Sequence, residues 1–128
     1  MAPQSEQERV KRLENEKFRE GVRAAKADLN RGVLAYEAIE CEEEENWRIL
    51  WCYRKLLKDQ HGIDYRVYCP SPVPGAVGYT KGYQSVVKPI IVARLGPDWS
   101  QRIYEEAKTF YRTRWSEVEH LYKADLDW

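Results

Sequence analysis

The side chains able to do covalent or metal chemistry are few in this chain: His61 and His120, with Cys41, Cys52 and Cys69. Two histidines cannot build a histidine-rich metal site. The cysteine spacings match neither a zinc-binding pattern nor a C-x-x-C redox pair. His61 with Cys69, or with Cys52, is the one thiol–imidazole combination to consider, since a nucleophilic cysteine needs a lowered pKa and an exposed position. Cys69 closes an alternating apolar stretch, so it reads first as a small core residue and second as a weak catalytic candidate with His61. Cys52 falls within a helical pattern and reads as packing.

A second set carries binding chemistry. Tyr65, Arg66, Tyr68, Tyr79, Lys81 and Tyr83 interleave aromatic rings with fixed positive charge. Such a set can stack on bases and neutralise phosphate. It can equally anchor a protein interface, where Tyr, Trp and Arg are enriched. Its plainest role is to seal the core where a helix crosses a strand. The run Glu42–Glu45 offers hard carboxylate oxygens. Consecutive helical residues point in different directions, however, and the positive end of a helix dipole explains the run without a metal. Gly75, Gly78 and Gly82 are not followed by the Lys-Ser or Lys-Thr of a phosphate loop. H-E-x-x-H and G-x-S-x-G are absent. No cofactor is implied.

The elements that must position these residues follow from periodicity and punctuation. Ser5 and Glu8 form a capping-box signature for a long, charged helix over residues 6–28; residues 1–5 precede it as a frayed end. Asn30-Arg31-Gly32 marks a turn. Val33–Ile39 fits both periods. Leu34, Tyr36 and Ala38 alternate, while Leu34, Ala38 and Cys41 share a helical face, and the poor strand propensity of Ala and Glu favours helix. A second helix runs from the Glu42–Glu45 run to His61 and is capped by Gly62. Ile63–Cys69 alternates cleanly as a strand, with Ile63, Tyr65, Val67 and Cys69 on one side and Asp64, Arg66 and Tyr68 on the other. Its partner is Val33–Ile39 in a strand–helix–strand unit, or the same strand of a second subunit. On the outer side, Asp64 can pair with Arg66 or Lys81.

Pro70, Pro72 and Pro74 stiffen the following loop. The strongest apolar stripe lies in a helix over 78–95, with a kink or a break at Pro89. Asp98 and Gln101 repeat the capping-box pattern before a last helix over 99–122, and residues 123–128 form a tail.

Together these describe one mainly helical α+β domain over residues 6–122, with about four helices and one or two short strands. Formal net charge is zero, so the chain as a whole does not attract polyanions. The charge is unevenly spread: residues 33–46 carry six Glu and no base, and the segment after them is basic. Nine Tyr and five Trp against two Phe suit half-buried faces and interfaces. No apolar run approaches the ~20 residues of a membrane span. Three cysteines without a disulfide pattern and a polar N-terminus make the cytoplasm the expected compartment.

The expected function is protein interaction without catalytic machinery, with a protein partner or a homodimer. A small-ligand or enzyme pocket between the proline loop and the Pro89 helix is the alternative. Nucleic-acid binding through the basic middle is a further one.

Overall fold

The computed structural model describes residues 5–39, 44–68 and 75–125, with the side chains of residues 44, 45 and 68 excepted. The elements run α1 (Glu6–Asn30), β1 (Leu34–Ile39), α2 (Glu44–His61), β2 (Ile63–Tyr68), α3 (Ala76–Leu95) and α4 (Trp99–Ala124). The fold is mainly helical α+β. The α1 capping box forms: Glu8 N–H donates to Ser5 Oγ at 3.1 Å, and Ser5 N–H reaches Glu8 Oε2 at 3.4 Å. Gly62 and Gly96 follow α2 and α3 with φ of 67° and 95°, a region that favours glycine.

Residues 34–39 form a strand, against the helix favoured above. Leu34, Ala35, Glu37 and Ala38 are all buried, so both faces of this segment are covered. β1 pairs in parallel with β2, from Leu34 opposite Ile63 to Ile39 opposite Tyr68. Tertiary pairing overrides the weak strand propensity of Ala and Glu. It also supplies the in-chain partner that β2 requires, with α2 as the crossover.

The sheet separates two helical layers. Tyr36 and Tyr65 point to one face, where Trp99 of α4 meets Tyr36 and Tyr53 of α2 meets Tyr65 edge-on. Glu37 and Arg66 point to the other, towards α1 and α3. In the α2–α4 layer Trp51 sits edge-on to Trp115 and Tyr122. Tyr53 Oη and Ser100 Oγ share a hydrogen bond of 2.9 Å.

In the other layer α1 and α3 run parallel. Gly78 lies against Glu14, Gly82 against Phe18, and Gly21 against Tyr79 and Tyr83. Glu14 also accepts from Gly75 N–H at 3.0 Å, so α1 supplies a carboxylate to the first orphan amides of α3.

Three local expectations change. α3 continues through Pro89 as one helix and not as two abutting ones; Pro89 and Ser85 are both exposed, on the side where a lost backbone hydrogen bond costs least. Asp98 makes no side-chain cap, because its Oδ1 accepts from Arg102 Nη1 at 2.7 Å instead. Asp64 pairs with Lys58 of α2 at 2.6 Å rather than with Arg66 or Lys81. α4 extends to Ala124, and Asp125 beyond it accepts from Trp51 Nε1 at 3.1 Å. No helix among the described residues is long and apolar enough to cross a membrane.

Candidate functional site

Four elements converge on one polar cluster between the sheet and the α1–α3 layer. Tyr83 of α3 is fully buried and donates its hydroxyl proton to Asp28 Oδ2 at 2.6 Å. Arg66 of β2 donates to the same oxygen at 2.9 Å and reaches Tyr83 Oη at 3.5 Å. Arg31 donates to the other oxygen of Asp28. Glu37 of β1 is 1% exposed, and its carboxylate lies 3.9 Å from the Arg66 guanidinium. The main-chain carbonyl of Glu37 accepts from Gln84 Nε2 of α3 at 2.7 Å.

Strand alternation produces this meeting. Glu37 and Arg66 are register partners, so their side chains leave the same face of the sheet. Tyr83 and Gln84 lie at the level of α3 that crosses β1. Asp28 occupies the last turn of α1, where the chain turns back towards the sheet.

The electrostatics are those of a locked bracket. Burial alone would raise the pKa of Asp28, but donors from Tyr83, Arg31 and Arg66 overcome it and hold the carboxyl at about 2. Burial pushes Tyr83 well above the ordinary phenol value, and its bond to Asp28 adds to that. Tyr79 moves the same way through burial and the nearby Glu37 and Asp28 charges. For Arg66, burial acts downward, but its bond to Asp28 and the surrounding groups raise its pKa. Asp28, Tyr79 and Tyr83 are thus all moved away from neutrality. A general acid or base works best with a pKa near the operating pH. Asp28 and Tyr83 hold one another in place within the cluster.

The residues expected to form a binding set are divided by the fold. Tyr65 is buried on the α2–α4 side, stacked on Tyr36 with ring centroids 6.0 Å apart. Arg66 and Tyr83 meet on the opposite side, with Tyr79 half-buried near them. Lys81 is exposed on the outer face of α3. Tyr68 holds its place in the strand, but its side chain is outside the description. Cys69 and the proline loop, residues 70–74, lie outside the described residues, as does Cys41. His61 ends α2, nine residues from Cys52 on the same helix, which is about 13 Å along the axis, so those two do not pair. Burial raises the Cys52 thiol to about 11, the opposite of what a nucleophile needs.

Asp28 and Glu37, which anchor the cluster, were not singled out from the sequence. Asp28 carried a legible signal: an acid in the last helical turn opposes the dipole and calls for compensating donors.

Grooves mark the described surface. One, of about 870 Å³, lies between α2 and α4, with Leu56 and Phe110 among its walls. A second, of about 410 Å³, borders β2 and α2; its cations Lys55, Lys58 and Arg54 already face Asp59, Asp64 and Asp125, and Arg66 on its wall faces Asp28. A third, of about 460 Å³, follows the outer face of α3 past Lys81, Gln84 and Lys88. No protein-family model, curated protein or solved structure matches the chain.

Proposed function

We propose that this protein is a non-enzymatic interaction domain, acting inside the cell, that receives a helix of a protein partner in the groove between α2 and α4. The observation that carries this reading is the make-up of that groove. It follows α4 from Asp98 to Arg114, about 24 Å at 1.5 Å per residue, enough for four turns of a docked helix. Leu56 and the half-buried Phe110 supply an apolar centre. Gln101, Arg102, Glu105 and Arg114 supply a rim of both charges. An apolar centre inside a polar rim is the anatomy of a protein interface, and an amphipathic helix laid in a groove is a recurring way to fill one. A second copy of the chain is the alternative occupant of the same groove.

Affinity capture from the protein's own cells, read by mass spectrometry, tests this. The wild type should retain a partner that Phe110→Glu loses and Lys88→Glu, on the outer face of α3, keeps. If the occupant is a second copy, light scattering should show a dimer that Phe110→Glu converts to monomer. A strict monomer with no partner sensitive to Phe110 ends the reading.

A further inference from the structure

Among the described residues, the outer face of α1 carries a long row of cations interrupted by a single acid, Glu16. Arg12, Arg19, Arg23 and Lys26 recur at helical steps of seven, four and three, and all are exposed. They lie opposite the face formed by Glu14, Gly21 and Asp28, which α1 turns to α3 and the sheet. Among the described residues no ion pair forms to any of the four. α2 and α4 behave differently, pairing several of their cations. Lys55 holds Asp59, Arg102 holds Asp98, Lys108 holds Glu105, Arg114 holds Glu117 and Lys123 holds Glu119. α1 has the glutamates to do the same but places several elsewhere. Glu8 closes the capping box, Glu14 caps α3, and Glu20 pairs with Lys17. Glu16 stands within the row, one turn from Arg12 and from Arg19, without such a bond.

We infer that this ridge binds the phosphate backbone of duplex nucleic acid, without reading its sequence. The inference is independent of the α2–α4 groove. Its motivation is the chemistry of the row. Three of the four cations are arginine, whose planar fork matches phosphate oxygens. The row spans about 21 Å, over which one strand of a duplex offers roughly six phosphates at 3.4 Å each along the axis. A protein interface would need an apolar centre, and this ridge has none. A membrane surface would need apolar side chains on the same face to insert, and these too are missing from it. The zero net charge does not cancel the row, because charges beyond about 8–10 Å are screened at ordinary salt.

The test is fluorescence anisotropy of the full chain with a labelled duplex DNA of about 20 base pairs, repeated with duplex RNA. With three to four phosphate contacts, log K should fall against log salt with a slope of about −3 to −4, a loss of roughly a hundredfold between about 50 and 200 mM. Arg19→Glu/Arg23→Glu should weaken binding at least tenfold and flatten the slope by about 2. Lys81→Glu/Lys88→Glu makes the same change in net charge on α3 and should leave binding as it was. All six positions changed or retained in these comparisons are exposed, and circular dichroism verifies that each variant folds. Absence of salt-dependent binding by the wild type overturns the inference. So does equal loss in the α3 variant, or binding to phosphatidylserine vesicles without binding to duplex.

Discussion

A carboxylate in the last turn of a helix faces the negative end of the dipole, and Asp28 does so with only 7% of its surface exposed. Each of these conditions disfavours its charge. Three donors reverse the balance, two from guanidinium groups and one from a buried phenol. The folded pKa of about 2 lies below the ordinary 3.8. Between those values the unfolded chain binds the proton and the folded chain does not. The stabilisation is therefore complete above about pH 4 and is lost as pH falls through about 2. Allowing for the solvent-exposed Arg31 arm, it amounts to about 1–2 kcal/mol. Asp28→Asn should lower stability by about that amount at pH 7, measured by urea denaturation. The gap to wild type should close as the pH approaches 2. Stability curves that stay parallel from pH 5 to pH 2 would show that another carboxylate governs the acid limb. Tyr83 and Arg66 were legible as residues of interest because they are a tyrosine and an arginine in ordered elements. Their shared acceptor was not, since Asp28 is far away in the chain and nothing local announces the pairing.

At the scale of elements, α1 and α3 are joined by glycine rather than by interlocking side chains. A Cβ placed on Gly82 would lie 2.0 Å from the carbonyl oxygen of Phe18, and one on Gly21 would lie 2.1 Å from that of Tyr79. Backbone cannot yield as a flexible side chain can, so the helices must separate. Gly82→Ala should cost about 3 kcal/mol or more, at or beyond the upper end of ordinary overpacking. Gly62→Ala meets open space and only the strain of its φ of 67°, about 1–2 kcal/mol. Chemical denaturation of the two variants side by side decides the matter, and equal losses would mean that α1 can shift without penalty. This packing shows what periodicity can and cannot reveal. The β2 alternation and the caps at Ser5 and Gly62 are local features, and each was readable as such. The close spacing of Gly75, Gly78 and Gly82 was visible too, but only its failure as a phosphate loop could be read. Its meaning depends on Gly21 and Glu14, which belong to another helix. Val33–Ile39 failed for the same reason. Leu34 and Ala38 satisfy both periods, and only pairing with β2 chooses between them.

Over the whole molecule, two helical layers are linked by a two-stranded sheet, and each layer is closed differently, by glycine contacts on one side and aromatic rings on the other. Stability should therefore be graded along α1. Residues 6–12 are exposed throughout, and the first α1 residues to meet the glycines of α3 are Leu13 and Glu14. Residues 83, 87 and 91 of α3 are fully buried. Local opening costs little where few apolar contacts must break and approaches the global unfolding free energy where many must. Amides of residues 9–12 should exchange with solvent deuterium by fraying, while those of residues 83–91 should exchange only by unfolding of the domain. Equal protection of the two segments in dilute solution would contradict this gradient. Protection of residues 9–12 that grows with protein concentration would mean that a second copy covers the start of α1. Protection along residues 12–26 that appears only when duplex nucleic acid is added, and fades with salt, would place the phosphate contact on the ridge without altering any residue.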